Sequence, residues 1–98
     1  MKKYRIECFY KSSIYGDIIE IYECSVYSYG KFNGFNAIRL ENVNTLKITS
    51  TGKEQRKQLS RGKYIPTEVC SHKKDIKILI IENDTGKIIE QFTAREES

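Results

Sequence analysis

Long hydrophobic runs are missing from this 98-residue chain. No window approaches the roughly 18 apolar residues of a membrane-spanning helix, so a helical membrane protein is excluded from the readings. The start, Met1-Lys2-Lys3-Tyr4-Arg5, is positive but meets Glu7 instead of an apolar stretch, and no secretory signal is expected. Cysteine is scarce. Cys8, Cys24 and Cys70 are odd in number, widely spaced and without a paired motif, which excludes a disulfide framework and predicts reduced thiols in a cytoplasm. There is one proline, Pro66, and one histidine, His72. What remains, 39% hydrophobic and 31% charged residues, is the composition of a globular protein and not of a disordered one. A chain of this length makes one domain, residues 1–98, burying about 60–65% of its unfolded surface without needing a metal.

The residues present alternate as strands do. Tyr4, Ile6, Cys8 and Tyr10 fall on one face of KYRIECFYK, with Lys3, Arg5, Glu7, Phe9 and Lys11 on the other. Residues 18–29, IIEIYECSVYSY, are dense in β-branched and aromatic side chains and predict one long bent strand or two short ones. The run GKFNGFN (30–36) reads as punctuation, and AIRL (37–40) and TLKITS (45–50) as strands joined by a turn through Glu41–Asn44. Residues 75–82 and 87–94 flank Asn83-Asp84-Thr85-Gly86, the signature of a hairpin with a left-handed Gly86. Ile78–Ile81, apolar on both sides, predict a central strand covered on both faces. Pro66 confines any strand over 64–70 to an edge or a bulge. The fold class is all-β. It is a small barrel or strongly curved antiparallel sheet of six to seven strands, a sandwich being the alternative. At most one short helix is expected, at about 52–61, where Thr51 and Glu54 match a capping box and Gly62 stands as a stop.

That same segment holds the whole net charge. Residues 52–63 carry Lys53, Arg56, Lys57, Arg61 and Lys63 against Glu54 alone, leaving twelve basic and twelve acidic residues elsewhere out of 17 and 13. Charge spread for solubility has no reason to gather in one place, so the segment, with the adjoining Tyr64, is a candidate phosphate contact. A second constellation is aromatic. Tyr27, Tyr29, Phe32 and Phe35, interleaved with Gly30, Lys31, Asn33 and Gly34, either stack on bases or a nucleotide or close the end of a barrel.

Two further chemistries have thinner support. Cys70-x-His72 with Cys8 and Cys24 would complete a Cys₃His set, but structural zinc sites bring a tight cysteine pair that is absent here, so neither metal nor cofactor is expected. Asp17, Glu20 and Glu23 could line one strand end, yet ordinary solvated faces look the same. His72 lies beside Lys73 and Lys74 in an expected turn, and neither Cys70 nor Ser71 next to it forms a pattern that suggests a nucleophile. The expectation is a protein that is not an enzyme.

Between Ile6 and Thr51 the order of elements resembles the WYL-type Sm-like β-barrel domain. The stretches concerned are 6-IECFY-10, 15-YGDIIEIYECSVYS-28 and 38-IRLENVNTLKITST-51, about half of the chain. The Trp-Tyr-Leu tripeptide itself is absent, and Gly34-Phe35-Asn36 stands where its strand would run. The resemblance implies a small barrel that senses a nucleotide or nucleic acid, usually beside a DNA-binding domain, with Arg39 as the ligand-facing arginine.

The leading expectation is therefore a binding module for a nucleic acid or nucleotide ligand, with phosphates on the 52–63 segment and bases on the aromatic residues. The alternative is a small inhibitor or adaptor, of the kind phages and mobile elements encode, that sets the same basic face against an acidic protein surface. No membrane partner is expected, and a homodimer through a strand edge is compatible with either reading.

Overall fold

Sequence alternation becomes strand pairing throughout the computed structural model. It describes residues 2–49, 52, 54–59, 62–70 and 73–96, with 45–49 and 54–59 described by their backbone alone. In chain order the strands are β1 (Tyr4–Ser12), β2 (Gly16–Cys24), β3 (Val26–Phe32), β4 (Phe35–Glu41), β5 (Val43–Thr49), β6 (Glu54–Leu59), β7 (Lys63–Pro66), β8 (Lys74–Glu82) and β9 (Ile88–Ala94). All pairings are antiparallel, and no helix occurs among the described residues. One sheet has the order β6-β5-β2-β1-β8-β9 and the other β3-β4-β7. The result is an all-β, strongly curved antiparallel structure in two layers, with no closed barrel among the described residues.

The two layers share one ribbon. In β2–β5 and in β3–β4 alike the paired residue numbers add to 67, from Ile18↔Thr49 to Phe32↔Phe35. A single hairpin thus runs in unbroken register through both sheets and bends where Ser25 faces Asn42. Asn42 has φ 56°, a left-handed backbone that asparagine tolerates better than most residues. The Ser25 amide donates to the Glu41 carbonyl (3.4 Å) and Asn42 Nδ2 donates to Ser25 Oγ (3.4 Å) across the bend. The bend turns the apolar side of the ribbon over itself, so that Ile38, Leu40 and Ile65 of the small sheet meet Ile6, Cys8, Tyr22, Ile78 and Ile80 of the large one in one core.

Several expectations change on contact with this arrangement. The described residues form nine strands, because residues 18–29 divide at Ser25 and the basic segment contributes one of its own. The short helix at 52–61 gives way to β6, whose backbone pairs with β5 from Val43↔Leu59 to Ile48↔Glu54. Its capping signals are local, and with Leu59 as its only apolar residue a helix would have had no stripe to bury. The run 30–36 is mostly strand. Its turn is only Asn33-Gly34, with φ of 51° and 83°, the pair of left-handed residues that a type I′ hairpin needs. β8 is interior as expected but covered on one face. Ile76, Ile78 and Ile80 are buried, whereas Leu79 and Ile81 are half-buried. Gly86 (φ 71°) occupies the left-handed position of the β8–β9 hairpin, and Pro66 sits on the edge strand β7.

Candidate functional site

Strand parity sorts the candidate residues into two sets. On β3, Phe32 shares a face with Val26 and Ser28, away from the core. Register adds Phe35, Ala37, Arg39 and Glu41 from β4, and Tyr64 and Pro66 from β7. Tyr27 and Tyr29 occupy the other face with the buried Ile38 and Leu40.

On the outer face Tyr64 lies directly across from Arg39, and its ring reaches over Gly30 to stack on Phe32. The centroids are 5.1 Å apart and the planes 15° from parallel, an offset stack. The ring passes close over Gly30, where a Cβ would stand in ordinary van der Waals contact with Tyr64 Cε1 at 4.0 Å. Phe32 is 46% exposed and Phe35 36%, so the ring faces reach solvent on a rigid sheet and not on a loop. The Arg39 guanidinium, about half exposed, is 3.3 Å from the Glu41 carboxylate two positions along the same face. An exposed pair of this kind is worth at most about 1 kcal/mol, and a ligand phosphate can displace the carboxylate.

The inner set links the two sheets, although Tyr29, at the rim, stays 59% exposed. Tyr27 packs edge-on against Tyr4 (4.9 Å) and Tyr29 (6.2 Å), and Tyr29 edge-on against Phe92 (6.1 Å). Both phenols donate to the Glu90 carboxylate, Tyr27 at 2.9 Å. Desolvation first, and then the bond to Glu90 and its charge, push the Tyr27 phenol up to about 12.

Of the basic segment, Lys53 and Arg61 lie outside the described residues, and Arg56 and Lys57 are described by backbone alone. Successive positions of a strand belong to opposite faces of its sheet, so positions 56 and 57 of β6 do not share one, as a helix would have allowed. Lys63, half-buried, pairs with Leu40 and falls on the opposite face of β7 from Tyr64. The end of the basic segment and the aromatic run, separate in sequence, meet at Tyr64 and Phe32.

The cysteines and carboxylates fall out differently. Cys8 stands opposite Glu20 and Cys24 opposite Tyr4, four steps along the same pair of strands or about 13 Å apart. Among the described residues no group of three His, Cys, Asp or Glu side chains could hold a metal ion, and His72 lies outside those residues. Burial pushes the Cys8 thiol up to about 12 and Cys24 up to about 11, with the charges of Lys73 and Lys2 acting in the opposite direction. Asp17 and Glu23 are exposed, but Glu20 is buried on the core face. The Tyr10 hydroxyl donates to it, and Lys73 Nζ lies 4.7 Å from the Tyr10 ring centroid. Glu20 shares the parity of Ile18, Tyr22 and Cys24, but Ile19 and Ile21 make the other parity equally apolar, so the sequence pattern does not single it out.

No family model, no curated protein and no solved structure matches this chain. Among the described residues no helix is long and apolar enough to cross a membrane.

Proposed function

We propose that the outer face of β3-β4-β7 is a non-enzymatic binding surface, working in the cytoplasm, for single-stranded nucleic acid or a nucleotide. The observation that carries this reading is the stack of the exposed Phe32 on the half-buried Tyr64, beside Arg39 on one outward sheet face. Aromatic rings on a sheet accept bases whatever their sequence, and a neighbouring guanidinium accepts the phosphate that links them. Phe35, adjacent to Phe32 across the ladder, extends the platform by one ring. The cations of 52–63 enter the chain just before Tyr64 and would add the sequence-independent phosphate term.

Fluorescence anisotropy with labelled oligothymidine, its RNA counterpart and a DNA duplex, at low and near-physiological salt, tests the reading. Single strands are expected to bind with affinity that falls as salt rises, and better than the duplex. Phe32→Ala and Tyr64→Ala should each cost about 1–3 kcal/mol. Unchanged affinity in both variants overturns the assignment to this face. Absence of single-strand binding at low salt overturns the nucleic-acid reading itself.

A further inference from the structure

Sheet register also builds a basic depression on the far side of the molecule, on the solvent face of the six-stranded sheet. Phe9 pairs with Lys77 and Lys11 with Lys74, so β8 spends three steps where β1 spends two. The extra residue is a β-bulge, and Asp75 takes it up with φ 50°. The break in the ladder opens a depression of about 390 Å³ lined by Lys11, Asp75, Ile76, Lys77, Thr93 and Arg95. On the other side Lys77 pairs with Thr93, and Arg95 follows two positions later on the same parity. Lys11, Lys77, Thr93 and Arg95 therefore converge from three adjacent strands spaced about 4.8 Å apart.

The charges here are not balanced. Lys74 is taken by Glu96 at 2.9 Å, and Lys11 shares Asp75 at 3.7 Å. Neither Lys77 nor Arg95 has a carboxylate partner among the described residues. Three cations and a hydroxyl around a concavity, against one carboxylate, are the recognition set for a phosphate group. The volume lies at the small end of ligand pockets, roughly 300–1,000 Å³, and exceeds what a bare phosphate occupies.

We infer that this depression binds a small phosphomonoester, its phosphate on Lys77, Arg95 and Lys11 with the Thr93 hydroxyl as a further donor. The site is separate from the aromatic face and does not depend on it.

Amide chemical-shift titrations with glucose 6-phosphate, with inorganic phosphate, and with sodium chloride at matched ionic strength test the inference. The expected result is saturable shifts around residues 11, 75–77 and 93–95 with either phosphate and not with chloride. Tighter binding of glucose 6-phosphate assigns the remaining volume to the ester group, whereas tighter binding of inorganic phosphate overturns the phosphomonoester assignment. The Lys77→Gln/Arg95→Gln double variant should lose the response at least tenfold. Asp75→Asn, which keeps a residue tolerant of positive φ, should tighten binding about two- to fivefold, the scale of an exposed ion-pair contribution. A Phe32→Ala/Tyr64→Ala protein should respond as the parent does. Shifts that chloride reproduces, or no change in either the double variant or Asp75→Asn, overturn the site.

Discussion

Glu20 is a carboxylate in the core, and Tyr10 is its described hydrogen-bond donor. Burying a polar group without a partner costs far more than the net worth of the bond that satisfies it. Tyr10→Phe keeps the ring and the Lys73 contact but removes that donor. It should lower unfolding free energy by about 1–3 kcal/mol in urea titrations. The thiols make a second expectation. Cys8 and Cys24 are buried while Cys70 is partly exposed, so a thiol reagent should label Cys70 in the native protein and the other two only as it unfolds. Folding raises the pKa of both buried thiols from 9.0, to about 12 and about 11. The unfolded chain then loses protons first, so their contribution is complete below pH 9 and declines as pH climbs from 9 towards 11 and 12. Urea midpoints measured across that range should fall, and a Cys8→Ala/Cys24→Ala variant should fall less steeply. At this scale the sequence was readable where one face is apolar and the other mainly charged, as on β1. It was silent on β2, where Ile19 and Ile21 mask the parity that makes Glu20 a core residue.

Elements that depend on their own residues were the legible ones. The β8–β9 hairpin with its left-handed Gly86, the edge position forced by Pro66 and a break within 18–29 all follow from local chemistry. Where pairing partners decide, local signals mislead. Thr51-x-x-Glu54 has the form of a helix start, yet the open edge of β5 offers 54–59 a ladder that its single leucine could not match as a helix. The Asn33-Gly34 dipeptide is itself a strong hairpin signal, but the second glycine and second asparagine of the run, Gly30 and Asn36, gave the stretch the look of a loop. The bend of the long ribbon belongs to this scale and rests on Asn42. A β-branched residue at φ 56° is strained, so Asn42→Val should destabilise by about 1–2 kcal/mol, whereas Asn42→Gly should come close to the parent in the same urea titration.

Across the whole molecule the two proposed sites lie on the outward faces of different layers, with the shared core between them. Sites with no common partner residue act independently. Inorganic phosphate should therefore weaken oligonucleotide binding only as much as chloride of equal ionic strength does, an outcome that competition anisotropy can read directly. The outline of the candidate surface was present in the sequence as residue types. Its division into an outward set (Phe32, Phe35, Arg39, Tyr64) and a set on the core-side face (Tyr27, Tyr29) was not, because the facing of the β3–β4 hairpin is set by the bend at Ser25 and Asn42 and by β7, well beyond it in the chain.

The continuous ribbon has one more consequence, and it concerns where the chain can be severed. A cut between Asn33 and Gly34 falls at the hairpin tip, past the last ladder pair, Phe32↔Phe35, and leaves every strand whole. The two pieces would carry β1–β3 and β4–β9, so each supplies strands to both layers and neither holds a complete inner face. Mixed together, they should reassemble through the pairing that already spans the bend, while each alone stays unfolded by circular dichroism. Two separately expressed halves would then constitute a complementation pair, with the aromatic surface restored only when both are present.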